Sequence, residues 1–294
     1  MKAPVRFTLF SVCAAAALSV ASSYAQDNEF SQPPKVLVIF REYTKPGKSG
    51  SLHEKSESAF VKAMVAAKWS VNYIGMESQS GPNRTLFVTG YESFAAWEKD
   101  NANQAKNAAL SAANDRAWVT DGDLLASTDG SALAFRPDIS HPGSDIELAN
   151  IRYFDISVFK IKPGKGREWV ELNKIYIDGY TKAAPEVNWA GYESMYGANN
   201  GGEFLIIQPL KSLSEVDKGF TDSKKFSDAV GEAGMKRLHE LEASCIESVQ
   251  ENIFHFNPKM SYPSEHFKTV DAGFWAPKPA AAPKPAVAAP AKPQ

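Results

Sequence analysis

The amino-acid sequence predicts an α+β protein in which one β-α-β-β-α-β unit is written twice, the two copies packed sheet to sheet. Three pairs of landmarks carry that prediction. Lys45-Pro46-Gly47-Lys48 returns as Lys162-Pro163-Gly164-Lys165. Val71-Asn72-Tyr73-Ile74-Gly75-Met76-Glu77-Ser78 returns as Val187-Asn188-Trp189-Ala190-Gly191-Tyr192-Glu193-Ser194. Phe135-Arg136-Pro137-Asp138-Ile139-Ser140-His141-Pro142 returns as Phe256-Asn257-Pro258-Lys259-Met260-Ser261-Tyr262-Pro263. Three matches in one order, spaced by about 116 to 121 residues, are the mark of internal duplication.

Between the landmarks the periodicities agree. Lys35 to Tyr43 is rich in β-branched and aromatic residues and runs into a Pro-Gly turn, so it reads as a strand, as does Ile151 to Ile161. A helical segment follows each turn, Leu52 to Lys68 and Glu168 to Lys182. Ser51 with Glu54 three residues on predicts a capping box at the first of these. Two strands follow, Val71 to Ser78 and Arg84 to Tyr91, and in the second copy Val187 to Tyr196 and Glu203 to Gln208. Next come longer helical regions, Ser93 to Arg116 broken near Asn101, and Ser214 to Glu247 broken near Gly231. Each copy closes on a strand, Ala132 to Phe135 and Asn252 to Phe256, stopped by a proline. The order is the split βαβ, or ferredoxin-like, arrangement. Its antiparallel sheet carries both helices on one face, and the bare apolar face calls for a partner, here the other copy.

This order, with a strand entering a Pro-Gly-Lys turn and a helix after it, resembles the dimeric α/β-barrel superfamily. That superfamily includes antibiotic-biosynthesis monooxygenase, EthD-like and NIPSNAP-like modules. The resemblance covers about Lys35 to Pro263. It implies a barrel-like pair of sheets within one chain and a pocket between sheet and helices in each module. The superfamily holds oxygenases, isomerases, haem enzymes and plain binding proteins, so it leaves the function open.

The flanks read differently. Lys2 and Arg6 precede an apolar run from Phe7 to Val20, and Ser23-Tyr24-Ala25 offers small residues at the positions that signal peptidase reads, so residues 1–25 are expected to be an export signal cleaved after Ala25. The modules are expected at 34–145 and 150–264, followed by a Pro/Ala/Lys-rich disordered tail at 265–294. The protein is thus expected in the periplasm or outside the cell, with no membrane span and with envelope contact through the tail. Cys245 is the one cysteine after the signal, which excludes an internal disulfide. A net charge of −2 gives no footprint for nucleic acid.

Candidate chemistry follows from strand alternation. Tyr73, Gly75 and Glu77 share one face, as do Trp189, Gly191 and Glu193, so each copy sets an aromatic ring, a gap and a carboxylate in line. This reads as a small-molecule site, with Tyr43 added from the first strand, or as a glycine making room for a packed ring. His53, at the start of the first helix, reads as a general base, with Arg41 and Glu77 as helpers, or as an exposed helix-start histidine. Its counterpart by sequence is Val170. No spacing matches a zinc pattern, so no metal and no cofactor is expected, and Cys245 reads as core. The leading expectation is a protein that binds a small apolar or aromatic molecule. The alternatives are a cofactor-free monooxygenase- or isomerase-like enzyme in the first module, and a structural protein whose pockets are filled by side chains.

Overall fold

The computed structural model describes residues 32–197 and 201–276. The export signal expected at 1–25 and the tail residues from 277 onward lie outside the described residues. The element order is β1 (Val36–Thr44), α1 (Ser51–Ala67), β2 (Ile74–Ser78), β3 (Arg84–Tyr91), α2 (Phe94–Lys106), α3 (Ala108–Gly122), β4 (Leu125–Phe135), β5 (Tyr153–Ile161), α4 (Gly166–Ala183), β6 (Ala190–Gly197), β7 (Glu203–Leu210), α5 (Ser214–Cys245), β8 (Ile246–Phe256), α6 (Glu265–Val270) and α7 (Ala272–Trp275).

The strands close into one antiparallel barrel in the order β1-β3-β2-β8-β5-β7-β6-β4, with β4 returning to β1. The sheets do not stack as two layers. Met76, Glu77 and Ser78 of β2 pair with Phe256, His255 and Phe254 of β8, and β4 pairs with β6 from Phe135↔Tyr192 to Ser131↔Gly197. The barrel that the resemblance implies is thus found, its two sheets joined edge to edge around one interior. Closure pairs the backbone groups that an open sheet edge would leave exposed. The strands β4 and β8, 11 residues each, run longer than the sequence pattern suggested. Each must pair on both sides, β4 with β1 and β6, β8 with β5 and β2.

Alternation sorts the side chains. Leu37 and Ile39, Ile74 and Met76, Leu86 and Val88, Phe154 and Ile156, Leu205 and Ile207, Phe254 and Phe256 belong to the barrel interior. On the outside, α1 packs beside α3 and α4 beside α5. A second core lies under α4 and α5, built from Trp169, Leu172, Phe204, Leu238, Leu241 and the buried, free Cys245.

The second and third landmarks meet in space. The segment after β8 lies on β2, where the Gly75 N–H donates to Ser261 Oγ at 2.9 Å and the Asn257 N–H donates to the Gly75 carbonyl at 2.9 Å. The segment after β4 lies on β6, where the Gly191 N–H donates to Ser140 Oγ at 2.9 Å and the Arg136 N–H donates to the Gly191 carbonyl at 2.8 Å. Each glycine lets backbone come close. A Cβ at Gly75 would stand 2.5 Å from the Met260 carbonyl oxygen, and one at Gly191 would stand 2.4 Å from Ile139 Cγ1.

Three local expectations need correction. The cap of α1 is Gly50, not Ser51, and it makes no side-chain cap bond; the carboxylate of Glu54 turns instead to Lys259 and Asn257. The break between α2 and α3 falls at Asn107, whose side chain accepts from the Leu110 N–H, rather than near Asn101. The tail does not start at 265, since α6 and α7 follow and bury Phe267 and Trp275. The Trp275 Nε1–H donates to the Ala149 carbonyl at 2.7 Å, and its ring packs against Phe256 and Phe267. The proline-free run Glu265 to Trp275 buries two of its large rings, Phe267 and Trp275, and their burial offsets the ordering entropy.

Candidate functional site

The barrel interior is not filled from end to end. An apolar cavity of about 350 Å³ opens at one end, lined by Leu37, Ile74, Val88, Phe154, Ile207 and Trp189. Polar groups at its mouth come from Ser140, His141 and Asn188, and from the segment Gly143 to Asp145 that crosses the opening. His141 lies parallel to Trp189 at 4.7 Å. Its Nδ1 contacts the Val187 carbonyl at 2.5 Å and its Nε2 contacts Thr181 Oγ1 at 3.1 Å. Wide apolar walls with a few fixed polar groups at the rim suit a small apolar ligand. The pocket expected between sheet and helices is thus found inside the barrel.

The inward face of β1 turns polar further along. Arg41 Nη1 donates to Asp129 Oδ1 and to Ser131 Oγ, both at 2.8 Å. Burial and the Asp129 charge raise the Tyr43 phenol above its ordinary range. Arg84 donates to Asn252 Oδ1 at 2.7 Å and lies over the Phe254 ring. Arg41 and Tyr43 therefore sit together, on the face of β1 opposite to that of Glu42.

His53 is fully buried, not exposed, and it faces the outward side of β1 and β3. Its Nε2 lies 2.9 Å from Glu42 Oε2, 3.6 Å from Asp121 Oδ1 and 3.8 Å from Glu57 Oε1. Its Nδ1 lies 3.3 Å from Thr85 Oγ1. Four elements supply the group: β1 gives Glu42, β3 gives Thr85, α1 gives His53 and Glu57 one turn apart, and α3 gives Asp121 near its end. The carboxylates of Glu42, Glu57 and Asp121 are all buried. Burial, then the charges of Glu42 and Asp121, push the Glu57 carboxyl up to about 10. Burial also raises Glu42, against the lowering effect of its hydrogen bond with His53.

The other half of the barrel fills the matching place with hydrocarbon. The buried residues of α1, His53, Ser56, Glu57 and Ala63, have the same spacing as Trp169, Leu172, Asn173 and Gly179 of α4. Glu42 pairs across to Thr85, as Phe159 pairs across to Phe204. Trp169 packs on Phe159 at 4.9 Å and on Phe204 at 5.5 Å. The counterpart of His53 is thus Trp169, not Val170, because the buried stripe and not the distance from the turn sets the match.

The remaining candidates separate. Glu77 lies on the face that carries Glu42 and Thr85, one strand beyond Thr85, and accepts from Asn257 Nδ2 at 2.7 Å. Glu193 accepts from Arg136 Nη1 at 2.5 Å. Gly75 and Gly191 receive the crossing segments, so their gaps hold protein. Tyr73 bridges to Tyr262 through backbone and buries its hydroxyl with no partner; burial and the charges of Glu57 and Glu42 raise that phenol. Trp189 reaches the cavity and donates from Nε1 to the Ile139 carbonyl at 3.0 Å. His53, Arg41 and Glu77 do not share one pocket. Sequence reasoning missed Glu42, Glu57 and Asp121, although the i, i+4 spacing of His53 and Glu57 and the parity of Glu42 with Val38 and Phe40 were readable.

Neither His53 nor His141 is placed to ligate a haem iron in the cavity. His53 is walled in by carboxylates, and His141, the one histidine lining the cavity, has both ring nitrogens engaged.

No protein-family model and no curated protein matches the chain. Solved structures do. A monooxygenase-like protein from Fusobacterium nucleatum aligns at 13% identity with a TM-score of 0.51, over 76% of this chain and 93% of its own. An anthrone oxidase-like protein aligns at 13% with a TM-score of 0.49, over 77% and 93%. A chlorite dismutase from Candidatus Nitrospira defluvii aligns at 10% with a TM-score of 0.45, over 81% and 95%. At 13% identity the likeness to the Fusobacterium nucleatum protein is one of fold. The fold defines the class, a closed eight-stranded α+β barrel. Among the described residues no helix is long and apolar enough to cross a membrane.

Proposed function

We propose that this protein binds one small, mainly apolar or aromatic molecule inside the barrel. The observation that carries the reading is the cavity of about 350 Å³, with apolar walls and a rim formed by Ser140, His141 and Asn188. The ligand enters over the segment Gly143 to Asp145, and Trp189 forms one wall. We further propose that the barrel is two equivalent ferredoxin-like modules, 34–145 and 150–264, in the manner of the antibiotic-biosynthesis monooxygenase, EthD and NIPSNAP-like domains. The paired bonds Gly75–Ser261 and Gly191–Ser140 support that division. Export follows, in this proposal, from the charged and apolar leader.

A cofactor-free oxygenase or isomerase acting on the bound molecule is compatible with the monooxygenase-like neighbour. His53 is not its base in this proposal, because it lies on the outward side of the barrel wall from the cavity.

The test is a titration with 1-aminoanthracene, a small apolar fluorophore, together with native mass spectrometry of the protein as purified. Saturable binding of one fluorophore per chain, or a co-purifying organic mass that the fluorophore displaces, supports the proposal. Absence of both would mean that side chains close the interior in solution and that the barrel is structural.

A further inference from the structure

Glu42, His53, Glu57 and Asp121 have more buried charge than the fold requires. We propose that they form a binding site for one divalent first-row transition-metal ion, of the manganese, iron or zinc kind.

Convergence is the first argument. One ligand atom from each of the four residues lies within 4.8 Å of the others, and all four residues are buried. Three carboxylates approach the same ring nitrogen, His53 Nε2, at 2.9, 3.6 and 3.8 Å. Metal–ligand bonds of about 2.1 Å hold neighbouring ligands roughly 3.0 to 3.4 Å apart, so small side-chain shifts would complete a coordination shell.

Unmet bonding is the second, and it is independent of the clustering. Asp121 has no solvent exposure, and neither of its oxygens has a hydrogen-bond partner. Glu57 Oε1, also buried, has none. Buried carboxylate oxygens without a donor are costly, and a cation is the partner that would satisfy several at once. The imidazole is oriented for this role. Thr85 Oγ1 at 3.3 Å can accept the Nδ1 proton, which leaves the Nε2 lone pair facing the carboxylates.

The third argument is an internal comparison. In the other half Phe159, Trp169 and Phe204 fill the corresponding space, so this architecture packs well without charge there. Buried ion clusters are commonly neutral or unfavourable relative to such packing. Holding three carboxylates and an imidazole in that place is explained by a ligand. An imidazole disfavours magnesium and calcium, and three oxygen donors disfavour soft copper(I).

The rival account is that protons do the work: Glu57 stays neutral and shares its proton with Asp121. The experiment separates the two. The full chain is stripped with a chelator, dialysed and titrated with Mn²⁺, Co²⁺ and Zn²⁺. Uptake is read by elemental analysis, site geometry by the visible absorption of Co²⁺, and stability by the thermal midpoint. Expected is about one ion per chain, a raised midpoint and a Co²⁺ spectrum that changes on His53→Gln. Asp121→Asn and Glu57→Gln should each weaken uptake at least about tenfold. If either variant fails to fold, the titration of the unmodified chain still decides. No uptake and no midpoint shift in the unmodified chain overturns the proposal in favour of the shared proton. Preference for Ca²⁺ or Mg²⁺ over all three ions overturns the assigned class.

Discussion

Gly75 sits with its Cα hydrogen side against the Met260 carbonyl, so close that a methyl group there would stand 2.5 Å from the oxygen. The obstacle is backbone, and it cannot swing aside. Gly75→Ala is expected to destabilise the protein by about 2 to 4 kcal/mol, as overpacking and displacement of the crossing segment combine. Gly191→Ala meets Ile139 Cγ1 at 2.4 Å and, next to it, the Ile139 carbonyl at 2.9 Å, and should cost a similar amount. Urea unfolding of the two variants measures both. A loss below about 0.5 kcal/mol in either would show that the segment crossing that glycine yields easily.

Val88 lines the apolar cavity. Val88→Trp should place its indole in that space, abolish 1-aminoanthracene binding and shift stability by less than about 1.5 kcal/mol, because the void accommodates the added volume. Unchanged binding at unchanged stability would place the fluorophore elsewhere.

Trp275 lies beyond the boundary that sequence composition sets for the folded part, yet it is 1% exposed. Trp275→Ala should cost about 3 to 5 kcal/mol by loss of its contacts with Phe256, Phe267 and Phe274 and of its bond to the Ala149 carbonyl. Thermal unfolding of the variant is the measurement. A change within about 0.5 kcal/mol would mean that α7 does not hold to the barrel in solution.

Asp155 has a carboxyl pushed up to about 6, first by burial and then by the charge of Glu251. A folded pKa above the unfolded value means that the folded state binds the proton more tightly. Stability from this group is therefore fullest near pH 4 and falls as pH rises through about 6. Asp155→Asn should remove that fall, with a gain of about 1 kcal/mol at pH 7 after allowance for solvent screening and none at pH 4. Denaturant midpoints at the two pH values check it, and an equal difference at both would exclude titration of Asp155 as the cause.

Much of the architecture was legible because its signals are local. The Pro-Gly-Lys turns put Gly47 and Gly164 at φ 77° and 78°, and the helix after each begins within a few residues. The kink at Gly231, with φ 76°, falls where the sequence placed a break. Strand parity correctly grouped Tyr73, Gly75 and Glu77 on one side, but it could not say that Met260 and Ser261 would cover the glycine. The candidate site was less legible. Parity alone sets Arg41 and Glu42 on opposite faces, yet which face meets a cavity and which meets helices depends on how the barrel closes.

The linear order of residues by itself determined the strand and helix succession, the turns and the assignment of alternate side chains to opposite faces, since these depend on backbone preferences and periods spanning a few residues. Tertiary structure alone decided which strand edges join to close the barrel, that an apolar hollow would remain inside it, and that Glu42, Glu57 and Asp121 would surround His53. Those outcomes require segments from about 60 to about 180 residues apart to meet, and their free energy comes from pairing and burial that no short window contains.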